Sequence, residues 1–587
     1  MMTRSFGQAM LASAIALGLA SGVQAAESAT PAQAASGAAA LAPERVLQVG
    51  FVLKPKVAMT QQHAAVEQWL VRDAGDPLLR GQLAQASVAA ASDIAQVKAY
   101  LSRYGITDVR PATDGRLLQV RATAAALQAA LGTQLHAVST DGRVGVAAAQ
   151  GAVAVPAGLQ TVVQGVIGLD GTAGAKVTPH GAPLSAARNA LLSSSAVMAS
   201  NSGGTEVVRH SIEELNSAYG ADTLAPASDI VGAVIAAGNL ENTLARLQSF
   251  QALHGLHTPV TVVTVGDPGA PGYQSNAASK DSEVEWDMDT QLLVGSSGGL
   301  KRLIIYNIPD FSWKSIIDGM ARAADDNLAR VVSMSIYGQE IQVNDAVFQA
   351  MDASLTKAVQ QGQNFVICSG DDGVYLPLSA RANAPYYDSL MARPDLRQVG
   401  WPASHRYAIA VGATELSTQV GNPGRYASER VWNAGVGRQL SQGGVSKIAY
   451  APQWQRTLLP GQTAFGYRAV PDVSFNGSFY SSAQIRGTDA QGNEAAWYVW
   501  GTSAATPTFA GYIARLLQSH PNLGFVAPQI YQYASQRSDA QRQHDVVVGS
   551  NGLYNDGYMA NYGWDFASGW GSMNIGDFDR FLTRTFP

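Results

Sequence analysis

After residue 209 the chain carries six apolar runs: IVGAVIAAG, PVTVVTVG, LKRLIIYNI, RVVSMSIYG, NFVICSG and YAIAVGAT. They are hydrophobic almost throughout rather than at every second position. A strand with one wet face needs polar residues at one parity, whereas a run apolar at both parities must be covered on both faces. Helix-like stretches such as DAVFQAMDASLTKAVQQG separate the runs. This alternation predicts an α/β domain over residues 209–587, built on a parallel sheet flanked by helices. In such domains the functional residues gather in loops at the carboxyl ends of strands.

Residues 45–170 are patterned differently. VLQVGFVLKP reads as a strand, HAAVEQWLVRDAG and ASDIAQVKAYLSRYG as helices, RLLQVRATAAALQAALG as strand then helix, and VVQGVIGLD as a closing strand. A small α+β domain is expected. Residues 171–208 lose apolar periodicity and end in SSSAVMASNSGG, a linker whose small residues invite proteolysis. Ahead of the first domain, residues 26–44 read as a low-complexity link. Residues 1–25 combine Arg4, an apolar stretch of small residues and Val23-Gln24-Ala25, the pattern of a cleaved export signal. A membrane anchor is the alternative, but the run falls short of the ~20 residues that span a bilayer. The expected product is secreted, extracellular or periplasmic, without stable membrane association. Cys368 is the sole cysteine, so no internal disulfide is available.

The net charge is -5 and no long basic run occurs, which excludes a nucleic-acid binder. Residues 27–209 hold 14 Lys and Arg against 11 Asp and Glu, whereas residues 210–587 hold 24 against 33. Opposite signs favour docking of the first domain on the second.

Only 14% of the residues are charged, yet SEVEWDMDTQ places Glu283, Glu285, Asp287 and Asp289 at alternate positions, with Asp281 just ahead. Crowded carboxylates repel, which raises at least one pKa. In a helix Glu285 and Asp289 share a face, Val284, Met288 and Leu292 form an apolar stripe beside them, and Asp287 points elsewhere. The segment lacks the turn glycine of an EF-hand loop. A solvated acidic helix face stays open on this segment alone.

In AWYVWGTSAATPTFAGYIARLLQ a strand runs through Gly501-Thr502-Ser503 into a helix. Free N–H groups and the helix dipole favour negative charge there, such as a tetrahedral oxyanion beside a Ser503 nucleophile. An ordinary serine N-cap is the alternative. A serine nucleophile needs a base. The chain has nine histidines, but His180, His254, His405 and His544 lack a companion motif and read as structural or surface residues. In acid a carboxylate can serve, and a second one beside it shares the proton. NFVICSGDDGVY puts Asp371 at the carboxyl end of a strand, where an Asp-Gly turn is an equal explanation.

The GTS-x-x-x-P serine, the E-x-x-x-D pair and the SGD between them together resemble the sedolisin family of serine-carboxyl peptidases. SQGGVSKIAYAPQWQ, WPASHRYAIAVGAT and RAVPDVS are similar to family segments, and residues 45–170 resemble the pro-kumamolisin-type activation domain. The resemblance implies a subtilisin-like fold with a ferredoxin-like prosegment. It also implies an acid-active endopeptidase working through an acyl-enzyme, made as a monomeric zymogen and cut within 171–208. Its partners would be polypeptide substrates and its own prosegment as inhibitor. It implies Ser503 as nucleophile, Glu285 as base, Asp289 as partner of Glu285, and Asp371 as oxyanion-hole acid. Trp500 departs from the Ser or Gly that many members carry before GTS.

Near the C-terminus, Asp545 and Asp565 stand twenty residues apart around Gly- and Asn-rich turns. The resemblance implies one structural Ca2+ held by these side chains and by carbonyls of Val546, Asn561 and Gly563. Calcium takes several oxygens, and carbonyls supply those that carboxylates do not. A Gly-rich loop without metal is the alternative. Two rival functions remain on sequence grounds: a neutral subtilisin-type enzyme with a histidine base, disfavoured because no HGT-x-VA stretch occurs, and a secreted binding protein that keeps the fold without catalysis.

Overall fold

The structure, a computed structural model, describes residues 39–586 apart from 73–87, 113–115, 141–142, 150–152, 172, 179, 184–203, 274–282, 376–396, 436–438, 464–465, 490, 539–543 and 554–556. The export signal, most of the low-complexity link, Asp281 and nearly all of SSSAVMASNSGG lie outside the described residues.

In the first domain, strands Val46–Leu53, Asp108–Pro111, Leu117–Thr123 and Val163–Ile167 form one antiparallel sheet. Taking them as strands 1 to 4 in chain order, the sheet runs 2-3-1-4. Helices Met59–Arg72 and Ala91–Ser102 follow strand 1, and Ala124–Leu131 follows strand 3. That order is βαββαβ, the ferredoxin-like arrangement. Local sequence sets the last helix: the Thr123 hydroxyl accepts the Ala126 N–H at its start, and Gly132, with φ 65°, ends it. Residues Ala39–Ala40 pair with Leu135–Thr140, and Leu41 is buried. The fold therefore takes in the end of the stretch read as a link. The pairing uses backbone groups, which composition does not encode.

The main domain is built on a nine-stranded sheet. Seven strands are parallel, in the spatial order Val473–Asn476, Ala408–Gln419, Asn364–Cys368, Val331–Met334, Val231–Ala237, Arg302–Ile308 and Val260–Thr264. Thr205–Glu206 and Asn422–Val431 pair antiparallel with the far half of Ala408–Gln419. Each of the six apolar runs forms a strand, and the central ones are buried on both faces. Val260–Thr264 differs: as the edge strand it is largely exposed.

Two helices carry the residues of interest, Glu283–Ser297 and Thr502–Ser519. They cross in close contact at Gly511, where a Cβ would lie 1.9 Å from Ser296 Oγ. Among the described residues no helix is long and apolar enough to cross a membrane.

The first domain docks on helices Trp313–Asp326 and Asp345–Gln360. Val52, Val66, Trp69, Leu70, Leu117 and Ile167 share the main domain's core. Ion pairs of both senses cross the contact, Arg121 of the first domain lying 3.8 Å from Asp267. Glu67, an anion of the cationic domain, lies 3.1 Å from Arg406 and 3.5 Å from Arg456. His63 and His405 both reach one oxygen of Asp352, at 3.1 and 3.0 Å. Burial alone would raise Asp352, but the two imidazoles overcome it and hold the carboxyl well below the usual range.

The segment expected to be a linker is laid on the main domain over 174–178 and 180–183. Gly174 bridges to Ser312 and Lys176 to Tyr337. The Lys176 ammonium lies 2.8 Å from Asp372. Gly181–Pro183 then pairs antiparallel with Glu494–Val499, the strand that leads to Ser503.

Candidate active site

Ser503 is the second residue of its helix, and Gly501 caps that helix with φ 101°. No other residue fits at 501, since a Cβ would lie 2.9 Å from Asp371 Oδ2 and 2.8 Å from His180 Cδ2. Pro507 lacks the N–H that would bind the Ser503 carbonyl. The Ser335 hydroxyl lies 3.4 Å from that carbonyl and donates to Asp289 Oδ1 at 2.6 Å. Ser503 Oγ is buried with no hydrogen-bond partner.

Glu285 and Asp289 project from the first turns of the other helix and are wholly buried. Burial pushes Glu285 well above the carboxylate range, Asp289 and Asp371 add to the rise, and the Ser503 side chain opposes it. Neither Glu285 oxygen has hydrogen-bond geometry, so the interaction with Ser503 is close contact rather than a formed bond. Asp289 is likewise raised by burial, with the Ser335 hydroxyl opposing. An ionised carboxylate without a partner is costly in such a place, so the pair holds on to a shared proton.

The intervening acids face away. Arg246 lies 2.7 Å from Asp287 and 3.2 Å from Glu283. Burial pushes Asp287 up to about 6 against the pull of Arg246.

Asp371 follows the strand Asn364–Cys368. Its Oδ1 accepts the Thr502 N–H at 2.9 Å and the Thr502 hydroxyl at 2.6 Å. It thus caps the serine helix from another segment. Its Oδ2 lies 3.0 Å from His180 Nε2. The four residues singled out in the sequence therefore converge on one buried cluster.

His180 is the residue that sequence reasoning missed. A lone His-Gly in a segment without periodicity carries no signal, and only the pairing of Gly181–Pro183 brings it here. The other candidates are engaged elsewhere: His405 with Asp352, His544 with Ser572 at 3.0 Å, and His254 with Glu213. Ser335 was missed as well, since its strand shows only an apolar pattern.

At the C-terminus, Asp545 Oδ2 accepts the Gly563 N–H at 2.7 Å, and Asp565 Oδ2 accepts the Asn561 N–H at 2.8 Å. Asp565 Oδ1 also accepts from Ala567 and Ser568, at 2.8 and 2.9 Å. The turn 561–568 is thus wrapped around both carboxylates. Among the described residues no group of three His, Cys, Asp or Glu could hold a metal, so a cation here would need carbonyls. Two carboxylates with neighbouring carbonyls are an all-oxygen set, the chemistry calcium takes.

Comparison with known proteins bears on the family and the fold. Residues 254–571 match the Subtilase family, and residues 33–172 match the pro-kumamolisin activation domain. Sedolisin of Pseudomonas sp. (strain 101) is 30% identical over 543 residues, 91% of this chain and 86% of that protein. Xanthomonalisin of Xanthomonas sp. (strain T-22) is 30% identical over 524 residues, 84% of this chain and 60% of that protein. The solved structure of Pseudomonas sedolisin, a serine-carboxyl proteinase complexed with pseudo-iodotyrostatin, superposes with a TM-score of 0.57 at 31% identity, covering 65% of this chain and 99% of that one. The chain belongs to the sedolisin family of serine-type peptidases, with a subtilisin-like main domain preceded by a pro-kumamolisin activation domain.

Proposed function

We propose that the chain is a secreted, acid-active serine-carboxyl endopeptidase that cleaves polypeptides through an acyl-enzyme and is made as a zymogen. One observation carries this reading: two buried carboxylates, with no cation or imidazole against them among the described residues, stand beside a serine hydroxyl without a hydrogen-bond partner at a helix start. Ser503 Oγ attacks the scissile carbonyl carbon while Glu285, ionised for this step, takes the hydroxyl proton. Glu285 returns that proton to the leaving amine as the C–N bond breaks, and water repeats the sequence on the acyl-enzyme. Asp289 shares a proton with Glu285 and orients it. Asp371 and the Ser503 N–H stabilise the oxyanion. In the full-length chain His180 occupies the Asp371 oxygen that this role needs, which supports a latent precursor.

The test is hydrolysis of denatured protein after acid treatment, with Ser503→Ala as control. No hydrolysis by the wild type would favour a binding protein, and a rate maximum at neutral pH would favour a histidine base. Latency is tested by shifting purified protein to acid and following size and N-terminal sequence. The wild type should lose the first domain as activity appears, with the cut in 171–208 near SSSAVMASNSGG, while Ser503→Ala stays near full length. Full activity of the uncut wild type would defeat the zymogen model.

Calcium is the proposed ligand of Asp545 and Asp565, assisted by carbonyls of Val546, Asn561 and Gly563. The ion would add fixed positive charge that ties the turn together. Chelation or Asp545→Ala should lower the melting temperature, since an ion bound at a hundred times its Kd stabilises by about 2.7 kcal/mol. Active enzyme without calcium in metal analysis would refute this.

A further inference from the structure

The connecting segment seats one side chain in a slot next to the serine. His180 is almost wholly buried. Its imidazole lies parallel to the Trp500 indole, with 8° between planes and 5.8 Å between centroids. Trp432 closes a second side at 6.0 Å. Gly501 leaves room on a third, and on the fourth Asp371 Oδ2 lies 3.0 Å from Nε2. A ring nitrogen and a carboxyl oxygen at this distance share one hydrogen bond. Phe479 braces Trp500 edge to face, at 4.9 Å. The main chain of the segment is held as an added strand, and the Trp500 N–H donates to the His180 carbonyl at 3.1 Å. Backbone pairing with one side chain dropped into a pocket is how extended peptides are recognised at strand edges. Every wall of the slot belongs to the main domain.

We propose that the slot between Trp500 and Asp371 is a binding site for flat nitrogen-bearing rings presented on an extended peptide, with His180 as its internal occupant. The indole favours a planar partner, and the Asp371 carboxyl favours a hydrogen-bonding nitrogen on the ring edge. A ring in the slot takes the Asp371 oxygen beside the serine, so peptides of this class inhibit the matured enzyme. The inhibition rests on the peptidase reading; the binding does not.

The binding is tested in full-length Ser503→Ala protein, which cannot cut itself. His180→Ala empties the slot, and 4-methylimidazole is then titrated while thermal unfolding is followed. The substitution should lower the melting temperature and the ligand should restore it. Protein that keeps His180 should not respond, and adding Trp500→Ser should abolish the response. Toluene, a flat ring without an N–H, should bind at least about tenfold more weakly. An equal response with His180 present, or one undiminished by Trp500→Ser, overturns the proposal. A second measurement does not depend on His180→Ala folding. The peptide KVTPHGAPL should inhibit acid-processed wild type at least about tenfold better than its His180→Ala counterpart, and equal inhibition overturns the proposal. Absence of any hydrolysis would count against the peptidase reading instead, and the 4-methylimidazole titration would still decide the slot.

Discussion

Glu283 and Asp287 lie one helical turn apart, as do Glu285 and Asp289, within the first two turns of one helix. The first pair meets a guanidinium: Arg246 bonds both, and a polar strand residue, Thr488, completes its contacts. The second pair meets a buried serine helix and, among the described residues, no cation. Both pairs have the same spacing, and Asp287 is nearly as buried as Asp289. Burial therefore does not separate Asp287 from Asp289; the partner does. Burial raises all three, but Arg246 draws Asp287 back to about 6, whereas burial pushes Glu285 and Asp289 well above the carboxylate range with no such counterweight, and Asp289 adds to the rise of Glu285. A paired acid serves as structure, and an unpaired one in a dry site is available to move a proton.

The contrast breaks most visibly at Glu285. Glu285→Gln should lower turnover by up to about 10⁴-fold, the upper range for a lost general base, while Asp287→Asn leaves it nearly unchanged. Steady-state rates in acid on one protein substrate decide this, and equal losses would erase the distinction between the pairs. Asp371→Asn should cost about 10²-fold in kcat, because an amide still donates but fits less well than the acid. Unchanged kcat would remove Asp371 from the oxyanion role.

Arg246→Ala sharpens the other side. It leaves Asp287 buried without its cation and should cost about 3 kcal/mol of stability at neutral pH, measured by denaturant unfolding in Ser503→Ala protein. The loss should shrink in acid as Asp287 takes up a proton; a loss independent of pH would mean that Arg246 stabilises by packing alone.

The smallest expected effect concerns pH. The raised pKa values of Glu285 and Asp289 mean that the folded chain binds their protons more tightly than the unfolded one. Their contribution to stability is complete below the unfolded values, about 4, and is lost as pH climbs through the higher folded values. A Glu285→Gln/Asp289→Asn chain should therefore gain stability over its parent at neutral pH and gain none near pH 4. A gain of equal size at both pH values would mean that the parent pair does not change protonation between them.

Much of the fold was legible. Apolar runs at both parities pointed to a parallel sheet, and all six form strands; what they did not show is that Val260–Thr264 lies at the edge, because an edge position is set by the neighbours a strand lacks. The pairing of Ala39–Ala40 and the docking of 174–178 and 180–183 were not legible, because backbone hydrogen bonds leave little trace in side chains. At the candidate site, Ser503, Glu285, Asp289 and Asp371 stood out by residue type, helix spacing and strand-end position together with a family resemblance. Ser335 and His180 did not, since neither a serine in an apolar strand nor a histidine in an aperiodic segment differs locally from its ordinary counterparts.

The sequence by itself determined which segments are strands and helices, that Glu285 and Asp289 share a helix face, and that Ser503 opens a helix. These follow from hydrophobic parity, the 3.6-residue turn and glycine geometry, all of them local. Only the tertiary structure decided which acids find a cation. Arg246 precedes Asp287 by 41 residues and His180 precedes Asp371 by 191, so neither pairing can be read from spacing. A carboxylate's protonation depends on what surrounds it in space, and that is fixed only when distant segments have packed.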